Sequence, residues 1–285
     1  MKSINNKPKK RSFSLWVICS EFNLKRDAYY KYKKRFKRKK EIEKQVVELV
    51  KKSRTVLARE GTRKLMKSLD EDFKKQQLKI GRDRLFNILR EYNLLVKPKK
   101  YSCRTTNSYH RFYKYNNIIK DLKISRPNQV WASDITYIRT VKGFCYLALI
   151  TDMYSRKIVG YDLSDSLELA GCLKALKKAL YQRKDKESLT HHSDRGIQYC
   201  SNLYTNELIK KNIKISMTEE NHCYENAMAE RVNGILKDEF YLDQTFMNKA
   251  HAKNATKNAI KLYNSKRLHL SLNFKTPNFV HQNAA

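Results

Sequence analysis

The sequence predicts an α/β protein whose mixed five-stranded sheet, with flanking helices, is preceded by an all-helical region. Three observations carry this prediction. Up to about residue 115, apolar residues recur at helical spacing between brief polar turns. From Asn128 onward, runs rich in Val, Ile, Tyr and Thr have the length and alternation of strands. A hydrophobic content of 41%, with only seven Gly and four Pro, is typical of a folded protein.

The charge of the chain predicts its class of partner. There are 61 Lys and Arg against 28 Asp and Glu, a formal net charge of +33. Such an excess repels itself in a compact fold and usually implies an anionic polymer as partner. A membrane is not expected, because the longest apolar run, Phe144–Ile150, is far shorter than the roughly 20 residues of a spanning helix. No signal peptide is expected either, and we predict an intracellular protein that binds nucleic acid.

The six cysteines are scattered without close pairs. This spacing predicts reduced thiols in a reducing compartment, and neither His191-His192 nor His222-Cys223 has a second pair at the interval of a zinc site. The cysteines are Cys19, Cys103, Cys145, Cys172, Cys200 and Cys223.

Residues 1–115 predict a basic, helical DNA-binding region. Apolar residues recur at helical spacing within 46–50, 65–69 and 85–89. Short helices separated by polar turns, with a basic last helix, are typical of helix-turn-helix modules, and an ordinary bundle with solvated lysines is the alternative. The charge density, greatest at 31–40, favours DNA binding. The DNA contacts predicted here are Lys33, Lys34, Arg35, Arg82 and Arg84.

Residues 116–127 are predicted to be a basic linker, and residues 128–285 a core with a helical C-terminal tail. Three strands in an antiparallel meander come first, and helices and strands then alternate. This order is that of the ribonuclease-H-like fold. The predicted strands are Val130–Ile138, Gly143–Thr151, Lys157–Leu163, Leu189–His192 and Ile213–Ser216, and the predicted helices are Leu167–Tyr181, Asn202–Lys211 and Glu225–Phe240.

Asp134 is the first candidate for chemistry. It lies in mid-strand, where alternation places Trp131, Ile135 and Tyr137 on the opposite face. Aspartate has poor strand propensity, and its partial desolvation is unfavourable unless a positive group compensates it. A solvent-facing Asp on a half-exposed sheet is the alternative.

Two further acids follow along the chain. Asp194 comes directly after the fourth strand, and ligand sites gather at the carboxyl ends of strands in α/β sheets. Glu230 lies in the last strong helix, on the face predicted to be free of the core, together with Asn233, Gly234 and Lys237. Taken singly, a turn aspartate and a solvated helix face are the alternatives, and His191 and His192 are expected to pack rather than to bind metal.

Together the three acids predict a metal site. Phosphodiester chemistry at neutral pH needs an activated oxygen nucleophile, a stabilised leaving oxygen and in-line geometry, which two Mg²⁺ ions supply. Mg²⁺ prefers carboxylates and water, so three acids on adjacent elements suffice. We therefore predict Asp134, Asp194 and Glu230 as both metal ligands and catalytic residues, with Mn²⁺ as a substitute for Mg²⁺.

At these acids the sequence resembles the transposases of bacterial insertion sequences that have a retroviral-integrase-like core, in particular the OrfB class of the IS-three family. The resemblance covers nearly the whole chain, although it is looser at the helix-turn-helix segment, 62–95. Thirty-five residues separate Asp194 from Glu230, the interval typical of this group. The matching motifs are WASDITYI at 131–138, LTHHSDRGIQY at 189–199, the glutamate helix within 216–239, and YN-x-x-R-x-H at 263–269.

The resemblance implies a DNA transposase that cleaves a strand at the element's end and joins the freed 3′-hydroxyl to another phosphodiester. It implies that Lys237 contacts DNA ends, and we also expect DNA contacts at Arg231 and Asn233. The expected partners are double-stranded DNA, further copies of the chain assembled on DNA, and an upstream-frame (OrfA-type) fusion partner. The expected location is the bacterial cytoplasm, at the nucleoid. The alternatives are an inactive DNA-binding regulator of transposition and a nuclease acting on RNA–DNA hybrids.

Overall fold

The structure, a computed structural model, describes residues 14–97, 110–219 and 226–284. The chain forms two compact units, Met1–Lys52 with Leu69–Leu94, and Ser53–Ser68 with Leu95–Ala285. Residues 53–68, 95–97 and 110–127, which we assigned to the helical region and linker, therefore belong to the unit that contains the sheet. The functional boundaries at residues 115 and 127 stay predictions.

The first unit is helical, as the spacing of its apolar residues predicts. The stripe along its longest helix and the stripe along its last helix face inward, while their Lys and Arg lie outside. Its buried apolar residues include Val46, Val47, Val50, Leu69, Phe73, Leu85, Ile88 and Leu89. The helices of the first 94 residues are α1 (Leu15–Glu21), α2 (Arg26–Arg54), α3 (Thr62–Ser68), α4 (Asp70–Lys75) and α5 (Arg82–Glu91), of which α3 belongs to the second unit.

The second unit is built on a mixed five-stranded sheet of order β3-β2-β1-β4-β5. The first three strands form the predicted antiparallel meander, and β1 continues parallel to β4, which is parallel to β5. The predicted ribonuclease-H-like architecture is confirmed. The strands are β1 (Val130–Thr140), β2 (Gly143–Asp152), β3 (Ile158–Ser164), β4 (Thr190–Ser193) and β5 (Lys214–Met217).

Helices cover both faces of this sheet, because alternate strand residues are apolar on each side. Trp131 belongs to the core beneath α6 (Leu169–Gln182) and α8 (Asn202–Lys210), and Ile138 belongs to the core beneath α9 (Ala227–Glu239) and α10 (Lys249–Ser265). The remaining helices are α7 (Ile197–Cys200), α11 (Pro277–Gln282) and a 3₁₀ turn, Leu270–Leu272.

Among the residues that the structure describes, no helix is long and apolar enough to cross a membrane. The four cysteines that they include are free and buried, as expected of reduced thiols. Cys103 and Cys223 lie outside the described residues.

The contact between β3 and α6 gives a first prediction. A Cβ at Gly160 would overlap the carbonyl oxygen of Ala175 and lie 2.8 Å from the Cβ of Ala179. Gly160→Ala should therefore destabilise the second unit by about 3 kcal/mol, since an overpacked core must shift its backbone. The measurement is the midpoint of urea denaturation.

Gly234→Ala is the matched control. A Cβ there meets none of the described atoms within 4 Å, and alanine is about 1 kcal/mol more favourable than glycine inside a helix. This variant should raise the urea midpoint. Equal midpoints for the two variants would contradict the close packing of β3 on α6.

Candidate active site

Two of the predicted acids lie side by side on adjacent parallel strands. Ser133 of β1 pairs in register with Ser193 of β4, so the next residues, Asp134 and Asp194, occupy neighbouring positions. Adjacent strands are about 4.8 Å apart, which brings the two half-buried carboxyl groups close together. After β4 ends, the backbone N–H of Gly196 donates to Oδ1 of Asp194 at 3.1 Å.

Helix α9 is fixed against β1 by two asparagine side chains. At its start, Nδ2 of Asn226 donates to the carbonyl oxygen of Ser133 at 3.2 Å. Two turns later, Nδ2 of Asn233 donates to Oδ2 of Asp134 at 2.6 Å. Glu230 lies between them, one turn before Asn233, and is exposed. The two asparagines therefore hold the helix so that Glu230 faces the side of the sheet that carries Asp134.

The electrostatics of Asp134 reflect these neighbours. The pKa of its carboxyl is raised to about 7, mainly by burial and then by the charges of Asp194 and, less strongly, Glu230. Hydrogen bonds from the N–H of Ile135, at 2.8 Å, and from Asn233 oppose this rise. The hydrogen bonds therefore offset only part of the negative charge of the three acids, and this excess of negative charge suits a hard cation that prefers oxygen ligands.

The three acids are not gathered into a finished metal cage. Within residues 14–97, 110–219 and 226–284, no three His, Cys, Asp or Glu side chains are placed so that they could hold an ion together. Asp134 and Asp194 are adjacent, and Glu230 remains on the exposed first turn of α9. Carboxylate oxygens are suitable ligands for a divalent cation. That all three acids bind the same ions stays a prediction.

One expectation about this helix was wrong. We placed Asn233 on a face free of the core, but it is 6% exposed and bonded to Asp134. Helical angles cannot show that an amide is buried against a carboxylate.

The other two DNA contacts predicted on this helix are Arg231 and Lys237. Arg231 is exposed and, with Glu239 and Arg267, lines a cavity of about 740 Å³, while Lys237 is half-buried.

The DNA contacts predicted in the helical unit lie on its surface. Lys33, Lys34 and Arg35 are all exposed on α2. On α5, Nε of Arg82 pairs with Asp83 at 2.9 Å, and Arg84 donates to the carbonyl oxygen of Lys79 at 3.3 Å. Their roles toward DNA stay predictions.

Two buried histidines of β4 lie near the aspartates, on opposite faces of the sheet because side chains alternate along a strand. His191 is on the face of Ser133, and His192 is on the face that carries Asp134. Nε2 of His191 is 2.7 Å from Oγ of Ser133 and 2.9 Å from the hydroxyl of Tyr204. Burial lowers the pKa of His191 to about 3, so this ring is neutral at neutral pH. Nδ1 of the buried His192 lies 2.9 Å from Oγ of Ser216. Both histidines pack within the protein, as predicted, and the hydroxyl partners were not foreseen.

The C-terminal end of α9 is anchored by residues that the sequence did not assign to any role. Nη2 and Nε of Arg267 donate to the carboxylate of Glu239 at 2.6 and 2.8 Å, and Nζ of Lys64 donates to it at 3.0 Å. Although burial disfavours its charge, the bonds and charges of Arg267 and Lys64 lower the pKa of Glu239. Asn264 bonds both the N–H and the C=O of Ile158. The YN-x-x-R-x-H segment thus ties the glutamate helix to β3, and Lys64 ties the same helix to α3.

The raised pKa of Asp134 predicts how stability depends on pH in EDTA. The stability associated with its protonated form is fully present below the unfolded pKa and is lost as pH rises through about 7. Asp134→Asn should therefore stabilise the protein by about 2 kcal/mol at pH 8, and by progressively less toward pH 4.

The measurement is urea denaturation of both proteins across this pH range. Asp121→Asn, at an exposed aspartate of the same unit, is the control and should change the midpoint little. A stabilisation by Asp134→Asn that is equal at pH 4 and pH 8 would contradict the electrostatic origin.

The Glu239 cluster predicts the opposite pH dependence. Glu239→Gln leaves Lys64 and Arg267 buried without a counter-charge and should destabilise the protein by about 3 kcal/mol at pH 7. Because the folded pKa of Glu239 is depressed, this stability is present above the unfolded pKa and is lost as pH falls through the folded pKa.

Thermal unfolding at pH 7 and pH 3 measures the difference. The control is Asp70→Asn, which removes an exposed ion pair with Lys74 and should change stability by less than about 1 kcal/mol. A loss of the same size at both pH values would show that packing, rather than charge, explains the effect.

Comparison with known proteins identifies the family. The integrase core domain family matches residues 124–223, and a second integrase core domain family matches residues 211–277. The insertion element IS600 uncharacterized 31 kDa protein of Shigella sonnei is 34% identical over 266 residues, which cover 91% of this chain and 96% of that protein. The transposase for insertion sequence element IS629 of Shigella sonnei is 28% identical over 91% of this chain and 88% of its own length.

Two further proteins are similar over about half of this chain. Transposase InsF for insertion sequence IS3A of Escherichia coli K12 is 37% identical over 155 residues, 54% of each chain. The HTLV-2 integrase catalytic core domain, in a structure with magnesium, has a TM-score of 0.45 and 20% identity, and covers 56% of this chain and 99% of that one. With 34% identity extending over nearly the whole of one relative, and with the integrase core families matched, this chain belongs to the IS3 family of insertion-sequence transposases.

Proposed function

We propose that Asp134, Asp194 and Glu230 are the catalytic acids of this transposase and that they hold the divalent ions needed for DNA strand cleavage and strand transfer. The observation that carries the proposal is the adjacency of Asp134 and Asp194, which directly follow the paired residues Ser133 and Ser193 of two parallel strands, beside the helix that bears Glu230. A protein that only bound DNA would gain nothing from concentrating negative charge there, so nothing favours the inactive alternative.

Each acid has a distinct task in this proposal. Asp134 and Asp194 would hold an ion between their adjacent carboxylates, and Asn233 fixes the orientation of Asp134. Glu230 would complete the set from the first turn of α9 and help to position the nucleophile. Bound Mg²⁺, with Mn²⁺ as substitute, would activate the attacking oxygen and stabilise the leaving oxygen of an in-line displacement.

The DNA would be held by the basic surface of the chain. We propose double-stranded DNA as the substrate, both at the inverted-repeat ends of the element and at the target. Phosphate contacts would come from Lys237 and Arg231 near the acids, and from exposed cations of α2 and α5. Assembly of several copies on DNA, an upstream-frame fusion partner and a location at the bacterial nucleoid belong to the same proposal.

Strand nicking and joining on labelled DNA that carries the inverted repeats of the element tests the site. With Mg²⁺ or Mn²⁺ the wild type should cleave. Asp194→Asn should lower the rate roughly 10²- to 10³-fold, because the neutral amide is a poorer ligand for the metal ion that stabilises the transition state. DNA binding should change little. Asp121→Asn, the same chemical change at an exposed position, should retain activity.

Full activity in Asp194→Asn would refute the assignment of the acids. Binding without cleavage by the wild type would lead to the same comparison in the chain fused to its upstream frame. If the fused protein also fails to cleave with either metal, the proposed activity is wrong.

A further inference from the structure

The first half of α2 combines exposed aromatic rings with a high density of positive charge. Residues 26–40 contain nine Lys and Arg and one Asp, a net charge of +8. At 1.5 Å per residue this basic–aromatic segment is about 22 Å long. Every side chain from 26 to 39 is exposed, and the buried residues of α2 all come later, from Glu43 onward. The segment is therefore a surface of the first unit that the unit's own core does not use.

Four large rings lie on this surface. Tyr29, Tyr30, Tyr32 and Phe36 are 37%, 51%, 58% and 45% exposed. The rings of Tyr32 and Phe36 are stacked, with centroids 5.9 Å apart and planes at 28°. Tyr29 precedes Tyr32 by three residues, so the three rings follow one stripe of the helix. A cluster of exposed aromatic rings on a folded protein marks an interaction site.

The charge decides which partner suits this site. A second copy of the chain would bring another +8 against the first within the same 22 Å or so of helix, and the two would repel. An anionic polymer complements the charge. Duplex DNA could contact the Lys and Arg through its phosphates, but its bases are stacked on each other and do not offer faces to the rings. Single strands offer both phosphates and free base faces.

We propose that residues 26–40 bind single-stranded nucleic acid. Unpaired bases would stack on Tyr29, Tyr32 and Phe36, and the neighbouring cations, including Lys33 and Lys34, would contact the phosphates. This goes beyond the proposed function, which requires only contacts with duplex phosphates from this region. It needs neither a metal nor the three acids.

Fluorescence anisotropy with the full chain in EDTA tests the proposal, because EDTA prevents cleavage and makes the result independent of the catalytic assignment. The probes are a 20-nucleotide oligo-dT, an abasic strand of the same length and charge, and a 20-base-pair duplex. The wild type should bind oligo-dT at least about tenfold more tightly than the abasic strand, since each stacked base adds affinity that phosphates alone do not supply.

Two kinds of variant separate stacking from charge. Tyr32→Ala with Phe36→Ala should bring the ratio of oligo-dT to abasic affinity close to one and leave duplex binding within about twofold. Lys33→Gln with Lys34→Gln should weaken binding to all three probes and reduce its salt dependence, with the ratio unchanged. Tyr181→Ala removes a tyrosine that is 92% exposed elsewhere and should have no effect. All the substituted side chains are exposed, so circular dichroism should show an unchanged fold.

Equal binding of oligo-dT and the abasic strand by the wild type would overturn the proposal. So would an unchanged ratio in the Tyr32→Ala, Phe36→Ala variant. If sedimentation shows a wild-type dimer that this variant dissociates, with no change in base preference, the rings are a contact between copies and the proposal is also wrong. An oligo-rU probe distinguishes RNA from DNA as the ligand. Tighter binding of oligo-rU than of oligo-dT indicates RNA, and weaker binding indicates DNA. The proposal is supported in both cases if the affinity depends on the bases.

Discussion

The structure depends on the placement of one carboxylate, that of Asp134, in the central strand of the sheet. The register of β1 against β4 sets Asp194 beside it, so two like charges share a partly desolvated site. The hydrogen bonds from Ile135 and Asn233 offset part of the repulsion. Since Asn233 belongs to α9, the helix must lie against β1 for this compensation to exist. The carboxylate of Asp134 therefore needs a hydrogen bond that only a correctly placed α9 supplies, so the charge on β1 also fixes the position of the helix.

The C-terminal end of α9 is held by two positively charged side chains that bond to Glu239. Arg267 from the tail and Lys64 from α3 both bond to Glu239, although Lys64 is 175 positions from Glu239 in the sequence. Asn226 fixes the start of the helix to the sheet, and Glu239 fixes its end to the two flanking segments. An exposed Glu230 is thus carried on a helix whose two ends are both anchored, which gives its position precision without burying it.

Much of this arrangement could be predicted because it is local. Alternation and β-branched runs gave strand bounds within a few residues, and Asp134 and Asp194 followed from their places on strands. The tail was expected to be helical, but the bounds of α10 were not foreseen, because its buried face includes Ala252, Thr256 and Ala259 rather than large apolar residues. The burial of Asn233 and the bond from Lys64 to Glu239 depend on tertiary contacts that no periodicity encodes.

Segments from outside the sheet bond to both of its edge strands, β3 and β5. At β3 the side chain of Asn264 takes the N–H and C=O of Ile158, and at β5 the N–H of Met217 donates to the carbonyl of Asn116 at 3.4 Å. Open strand borders invite pairing between molecules and aggregation. A fragment trimmed to the strands and the three acids would expose these groups, so a soluble minimal core for crystallisation has to retain both Asn116 and Asn264.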